Sequence, residues 1–287
     1  MDLTAKTWLI TGSSGMLATD LVALLRGRGV EPILTDVDEL DITNADAVNN
    51  AVSDADIVVN CAAYTAVDAC EDNEDLAYAV NATGPANLAQ ACAAAGARLV
   101  HISTDYVFAG DATEPYEVDA PIAPASAYGR TKAAGERSIT EAGADALIVR
   151  TAWLYGANGP CFPKTIARAG RDRGALKVVS DQIGQPTWTR DLAALILGLI
   201  EAEAPAGFYH GTSSGEASWF DFARAICNAA GLGEIVTPCG SEEYPRPAPR
   251  PAYSVLDHAP LPALGIAPIG PWDERWAAAA AEVLDSV

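Results

Sequence analysis

Residues 6–25 constrain the fold more tightly than any other stretch. Lys6 to Thr11 reads as a short buried strand that runs into the turn Thr11-Gly-Ser-Ser-Gly-Met-Leu-Ala18. A helix follows, with Leu17, Leu21, Val22, Leu24 and Leu25 at helical spacing and Gly27 and Gly29 at its end. Strand, glycine turn and helix in this order open a parallel βαβ unit that takes a dinucleotide. Gly12 permits the tight turn, and Gly15 lets the backbone approach a pyrophosphate at the helix N-terminus. Ala18 is the third small position and allows the helix to pack closely on the strand. Ser14, Met16 and Leu17 complete the residues that the turn places around the cofactor.

The same alternation continues. Pro32 to Val37 is a second strand with Asp36 near its end. A carboxylate there accepts hydrogen bonds from ribose hydroxyls and repels a 2′-phosphate. No Lys or Arg follows in that loop, so of the two cofactors NADH and NADPH the sequence favours NADH. Asp41, with Ile42 beside it, is an alternative residue near the adenine, and the choice between Asp36 and Asp41 stays open. A third strand, Asp56 to Ala63, ends in the small residues Cys61, Ala62 and Ala63, which leave room for a cofactor across the sheet edge. Tyr64 to Asp68 continues as a loop at that edge. A helix is expected over Glu74 to Gly96, interrupted by Asn81 and Pro85 in structural roles. The fourth strand, Arg98 to Asp105, delivers Ser103 and Thr104 to the same edge, and Tyr106 to Pro124 reads as a surface connection. A fifth strand spans Asp145 to Trp153. These repeats predict an α/β chain with a doubly wound parallel sheet and its ligand at the C-terminal ends of the strands.

Beyond about residue 156 the pattern loosens. Helices are expected over Phe162–Arg173, Thr189–Glu203, Trp219–Ala230 and Trp272–Val287, with strands over Leu176–Asp181 and Phe208–Gly211. The proline run Tyr244 to Tyr253 cannot be a regular helix or a central strand. The expected division is a dinucleotide-binding part over 1–156 that carries the catalytic residues, and a smaller C-terminal α/β substrate-binding part over 157–287. Some segments of the second part return to the first.

Ser126 to Glu136 carries the chemistry. It sets Tyr128 and Lys132 four residues apart in a helical segment, one above the other on one face. An ammonium beside a phenol biases it toward phenolate, so the tyrosine can exchange protons nearer neutral pH. Thr104 can hydrogen-bond a substrate carbonyl beside that phenol.

Charge and composition exclude other classes. The net charge of −20 argues against nucleic acid, whose phosphates need clustered Lys and Arg. Six scattered cysteines and three histidines show no metal-ligand spacing, so no metal is expected. No charged leader with an apolar core precedes the first strand, and no apolar run reaches about 18 residues. A reduced, cytoplasmic protein with no membrane partner is the expectation.

Taken together, the glycine turn, Asp36, Thr104 and Tyr128-x-x-x-Lys132 resemble the extended short-chain dehydrogenase/reductases. Within that superfamily, five motifs resemble the dTDP-4-dehydrorhamnose reductase branch: NCAAYTAVDACE (60–71), STDYVFAG (103–110), RTAWLYG (150–156), DQIGQPT (181–187) and YPRPAPRPAYSVL (244–256). The resemblance implies a Rossmann-type fold and NAD(P)H-dependent reduction of the C4 ketone of a dTDP-4-keto sugar. It assigns proton donation to Tyr128, the nicotinamide ribose to Lys132 and the carbonyl to Thr104. Val67, Asp105, Tyr106 and Trp153 would line the sugar pocket, and Arg246 and Arg250 would face the diphosphate. Some members of the branch are Mg²⁺-linked dimers. Here Asp20 lies in the first helix but Arg190 stands where a second acidic ligand is expected, so the metal does not carry over and a monomer or a homodimer is expected.

Related chemistries fit less well. Nucleotide-sugar 4,6-dehydratases carry Thr-Asp-Glu where this chain reads Thr104-Asp105-Tyr106. The STDYVF and RTAWLYG motifs speak against a 4-epimerase. A ketoreductase for another dTDP-4-keto-6-deoxyhexose stays open. A regulatory subunit like that of methionine adenosyltransferase is the non-enzyme alternative, against which the intact Thr104, Tyr128 and Lys132 set stands.

Overall fold

The computed structural model describes residues 2–285 and 287. In chain order the first half runs β1 (Trp8–Thr11), α1 (Met16–Arg26), β2 (Ile33–Thr35), α2 (Ala45–Val52), β3 (Ile57–Asn60), α3 (Val67–Asp72), α4 (Glu74–Tyr78), α5 (Gly84–Ala95), β4 (Arg98–Thr104), α6 (Ala127–Ala142) and β5 (Ala146–Thr151). The second half adds β6 (Leu154–Tyr155), α7 (Phe162–Arg173), β7 (Leu176–Val179), β8 (Ile183–Gly184), β9 (Thr187–Trp188), α8 (Thr189–Glu201), β10 (Gly207–His210), β11 (Ser213–Ser214), β12 (Ala217–Ser218), α9 (Trp219–Ala229), β13 (Val236–Cys239), α10 (Pro260–Ala263), β14 (Ile269–Pro271) and α11 (Trp272–Leu284).

Six strands form one parallel sheet in the order β2-β1-β3-β4-β5-β10. From β1 the chain steps outward to β2, then returns past β1 to β3, which puts the switch point between β1 and β3 at the glycine turn. Strand alternation sorts the side chains into two cores. Trp8, Ile10, Ile57, Val59, Val100, Leu147 and Val149 pack against α1 and α8, with Leu17, Leu21, Val22 and Leu25 of α1 buried there. Leu9, Val58, Leu99 and Ile148 face the other way, against α2, α5 and α6. Each fully buried aliphatic side chain stabilises the fold by roughly 1.5–3 kcal/mol.

A third core is separate from the sheet. Ile166, Leu176, Val178, Phe222, Ile226, Val236, Trp276 and Val283 join α7, α9 and α11 to the paired strands β7 and β13. Two segments of the second half nonetheless belong to the large sheet: β10 extends it beside β5, and α8 covers the α1 face.

Two sequence expectations are modified. The helix over 74–96 is α4, a π-helical turn at Ala79–Thr83 and then α5, with Pro85 tolerated in the first turn of α5. The stretch Tyr106 to Pro124 is not a simple surface connection. Val107 and Phe108 are buried with Leu256, Phe108 stacks on Tyr116 at 4.5 Å, and the Tyr116 and Asp257 amides exchange hydrogen bonds with the Val255 and Tyr116 carbonyls. The partner segment lies some 140 residues away in sequence, so local patterning carries no sign of it. No helix among the described residues is long and apolar enough to cross a membrane.

Candidate active site

The glycine turn takes the shape that its sequence demands. Gly12 has φ of 64°, and a Cβ there would lie 2.7 Å from the Ala62 nitrogen. Only glycine tolerates both the left-handed backbone and the approach of the loop after β3. Gly15 begins α1 with no side-chain cap, which leaves the first N–H groups of that helix for an anion. Ala18 is fully buried against the sheet. The Asp36 carboxylate accepts a hydrogen bond from the Ser14 amide at 3.1 Å and another from the Ser14 hydroxyl. The Ser14 and Val37 hydrogen bonds hold it below the usual carboxylate range, so it is ionised at neutral pH. This cradle of uncapped helix amides, glycine backbone and a carboxylate ending β2 has the chemistry to take a dinucleotide. Asp41 instead caps its own turn through Thr43, and the Ile42 side chain is core, packed over Gly84. Met16 leans over Gly159, and the Leu17 side chain is buried against the sheet.

The residues beyond β3 are fixed from behind. Asn81, in the π-helical turn, accepts from the Tyr64 amide at 2.8 Å and donates to the Tyr64 carbonyl at 3.0 Å and to Thr131 at 3.2 Å. Tyr64 and Tyr128 pack together over Cys70, Ala77 and Ala127. Burial pushes the Cys61 thiol up to about 12.

Tyr128, Lys132 and Glu136 form a column on α6, which Ser126 caps by accepting from the Gly129 amide at 3.1 Å. Lys132 is 1% exposed; its Nζ donates to the Ile102 carbonyl at 2.6 Å and lies 3.3 Å from Nε2 of His101. Burial lowers this lysine to about 8, against the opposing pull of Glu136 and Cys61. Glu136 makes a two-pronged ion pair with Arg150 at 2.9 and 2.8 Å and accepts from Ser103. The Ser103 hydroxyl is therefore turned into this network, not toward the sheet edge. Arg150 also donates to the Val118 carbonyl and lies between the Phe108 and Phe208 rings.

The expected bias of Tyr128 toward phenolate is reversed. Burial raises its pKa first, and the Asp105 charge adds to the rise, while Thr104 within hydrogen-bonding reach opposes both. Thr104 donates to Asp105 at 2.8 Å and accepts from the Tyr106 amide at 3.2 Å, so its hydroxyl already has partners. Asp105 is 3% exposed; burial pushes it up to about 6, and its Oδ2 has no partner among the described residues. The Tyr106 ring meets Tyr128 edge-on at 5.5 Å.

The proline run lies against α3. Asp68 accepts from Arg250 at 2.9 Å and from the Ala248 amide at 3.3 Å, and pairs with Arg246 at 3.8 Å. Both expected diphosphate-facing arginines thus converge on one carboxylate, adjacent to Val67. Nη1 of Arg250 is buried without a partner among the described residues. Trp153 has φ of 48°, an uncommon backbone for a bulky residue, and stacks on Trp219 with ring centroids 3.5 Å apart. Its ring also lies over Gly184. Elsewhere, the buried Asp20 accepts hydrogen bonds from Thr189 and from Asn158, and Arg190 pairs with Glu282 at 3.4 Å.

Sequence reasoning missed His101, Asn60, Glu136, Arg150, Asp68 and Trp219. Strand alternation carried a signal for His101: with Leu99 and Ser103 it falls on the α6 face of β4. The rest have partners 14 to 182 residues away in sequence.

Known proteins share this chain's sequence and fold over most of its length. The RmlD substrate binding domain model matches residues 6–285. A dTDP-4-dehydrorhamnose reductase of Mycolicibacterium smegmatis is 45% identical over 99% of this chain and 88% of its own length. A probable dTDP-4,6-dihydroxy-2-methyloxan-3-one 4-ketoreductase of Streptomyces antibioticus is 44% identical over 92% of this chain and 91% of its own. The crystal structure of dTDP-4-dehydrorhamnose reductase from Bacillus anthracis in complex with NADP superposes with a TM-score of 0.92 at 40% identity, covering 96% and 98% of the two chains. With its Rossmann-type sheet, its glycine cradle and its Thr104, Tyr128 and Lys132 set, this chain belongs to the RmlD substrate-binding-domain family of extended short-chain dehydrogenase/reductases.

Proposed function

We propose that this chain reduces the C4 ketone of dTDP-4-dehydro-L-rhamnose to dTDP-L-rhamnose at the expense of NADH or NADPH. The observation that carries the reading is a half-buried phenol, Tyr128, whose surroundings favour its protonated form, within reach of Thr104 and one helical turn from Lys132. A phenol that holds its proton is the acid a ketone reduction needs, because the developing alkoxide must be neutralised as it forms.

A nicotinamide cofactor, when bound, supplies the hydride. The chain's residues do the rest. Gly12, Ser14 and Gly15 present backbone and the α1 N-terminus to the pyrophosphate, and Asp36 takes the adenosine ribose. Cys61, Ala62 and Ala63 leave space across the sheet edge, and Lys132 holds the nicotinamide ribose. Tyr128 gives its proton to the C4 oxygen, and Thr104 orients that oxygen. Trp153, Val67, Asp105 and Tyr106 enclose the sugar, whose methyl and C–H faces are apolar, while Arg246 and Arg250 exchange Asp68 for the diphosphate. Residues 1–156 act as the cofactor part and 157–287 mainly as the sugar part, with α8 and β10 returned to the first. Asp36 favours NADH over NADPH. The six free thiols agree with a reducing compartment such as the cytoplasm, and the enzyme works there as a monomer or homodimer.

A second reading, a 4-ketoreductase for another dTDP-4-keto-6-deoxyhexose, is favoured by the Streptomyces antibioticus relative at almost the same identity. One assay separates the two. Purified protein is given enzymatically generated dTDP-4-dehydro-L-rhamnose with NADH or NADPH, and products are identified by NMR. Formation of dTDP-L-rhamnose supports the first reading; no turnover until the 4-keto sugar is exchanged for another supports the second.

A further inference from the structure

Trp153 stands between β5 and β6, where the chain leaves the large sheet, and its backbone is left-handed. Such a backbone crowds a bulky side chain, so it persists where the surroundings hold the ring. They hold it on both faces. A Cβ added at Gly184 would lie 2.6 Å from Cε2 of Trp153 and 2.8 Å from each of Cζ2 and Nε1. These are Cε2 and its two neighbours around the rim of the indole. Their near-equal distances place Gly184 over the face of the ring, not at its edge. The Trp219 ring lies within 8° of parallel with centroids 3.5 Å apart, which leaves no room for Gly184 on the same side. Gly184 and Trp219 therefore cover opposite faces.

Both are fixed by the same strand pair. Gly184 of β8 lies opposite Ala217 of β12, and Ile183 opposite Ser218. Ser218 caps α9 in a capping box, accepting from the Asp221 amide at 3.0 Å while its own amide donates to the Asp221 carboxylate at 3.1 Å. Trp219 is the first residue of α9, so pairing and cap together set where its ring begins. Phe162, at the start of α7, packs against Trp219 at 4.5 Å. The Trp153 carbonyl accepts from the Thr187 amide at 3.2 Å.

A planar ring with both faces covered meets a ligand only by its edge. We infer that Trp219 and Gly184 are positioning residues for sugar recognition: they clamp the Trp153 indole so that the substrate meets its edge and not its face. The difference matters for specificity. A free indole face accepts the apolar side of almost any pyranose, whereas a clamped edge presents its N–H and C–H groups at fixed positions. A donor held in place discriminates between sugars that differ in one hydroxyl, because a sugar lacking the acceptor leaves the donor unpaired. This rests on the reading of Trp153 as a wall of the sugar pocket given above.

The test begins with circular dichroism, which reads the stack without substrate or cofactor. Parallel indoles this close couple into a far-ultraviolet exciton couplet, and of the six tryptophans only these two stack on each other among the described residues. The couplet is expected in the unmutated protein and should vanish in Trp219→Phe and Trp219→Leu. Phenylalanine keeps an aromatic layer on Trp153, so kcat/KM for the dTDP-sugar should stay within about threefold, whereas leucine should lower it at least about tenfold. KM for the nicotinamide cofactor should be unchanged in both. A merely structural role would not separate phenylalanine from leucine, nor sugar from cofactor. Gly184→Ala drives a Cβ into the ring and should weaken the couplet, again lowering kcat/KM for the sugar at least about tenfold. Saturating dTDP-L-rhamnose should leave the couplet of the unmutated protein in place. Its loss on binding, or its absence from the free protein, overturns the inference even if no variant folds. Failure to bind or turn over any dTDP-sugar counts against the proposed reaction, while the couplet of the free protein and its response to Gly184→Ala still decide whether the clamp exists.

Discussion

Two polar regions meet at Tyr128, and they differ in how completely they are satisfied. Beneath α6, Thr11, Asn60, His101, Lys132, Ser103, Glu136 and Arg150 are buried and each has a hydrogen-bond partner. On the sugar side, Asp105 Oδ2 and Arg250 Nη1 are buried without one among the described residues, and Arg246 and Arg250 share the single carboxylate of Asp68. A satisfied buried network is stiff, because every displacement breaks a bond that water cannot replace. An unsatisfied one carries a free-energy cost that a ligand with complementary groups relieves. The difference gives fixed geometry to Tyr128 and Lys132, the proposed proton donor and its lysine, and adaptability to the face proposed to recognise the sugar nucleotide.

The comparison can be broken at its stiffest point. Arg150→Met leaves Glu136 buried and unpaired, and loss of about 3–5 kcal/mol in denaturant unfolding is expected. A loss below about 1 kcal/mol would mean that the network is not the scaffold argued here. Tyr128→Phe tests the junction: turnover should fall at least about a hundredfold with cofactor affinity nearly intact, measured by steady-state rates and cofactor fluorescence. Full activity would remove Tyr128 from the reaction.

Asp105 sharpens the contrast through pH. Its folded value, about 6, lies above the ordinary 3.8, so its contribution to stability is complete below 3.8 and is lost as pH rises to about 6. Asp105→Asn stays neutral throughout. It should be more stable than the parent by about 2 kcal/mol above pH 6, with the gain vanishing in acid, as read from unfolding curves across pH. A pH-independent difference would show that the carboxyl is not strained by burial. Asp36→Ala should raise the ratio of kcat/KM for NADPH to that for NADH by about fivefold, the size expected for one removed surface charge. The smallest effect is expected at the sugar rim. Asp68→Asn should lower KM for the dTDP-sugar by about threefold, since it releases two arginines from a half-exposed ion pair. A raised KM would mean that Asp68 orders the proline run for binding and does not compete with the diphosphate.

Much of the cofactor side is local and was legible for that reason. A glycine at φ of 64°, a small residue at 18, an acidic residue ending β2 and a Tyr–Lys pair one helical turn apart each depend on neighbours within a few positions. The helices over 162–173 and 189–201 were equally plain, because period-3.6 patterning needs no knowledge of the partner. Tyr106 to Pro124 failed as a surface loop because its cover, residues 251–257, is remote in sequence. Ser103 lies at the predicted strand end, yet its hydroxyl turns to a glutamate 33 residues on.

By itself, then, the sequence determined the βα alternation, the turn at Gly12 and the place of Thr104, Tyr128 and Lys132 on their strand end and helix, since strand, turn and helix periodicities are short-range properties. Tertiary structure alone decided the protonation of that set. Desolvation lowers the buried Lys132 and raises the half-buried Tyr128, and desolvation depends on which distant elements cover α6. The reversal of the expected phenolate bias follows from that. Spacing along a helix brings an ammonium near a phenol, but desolvation and the distant partners His101, Ile102 and Asp105 determine which of them holds the proton.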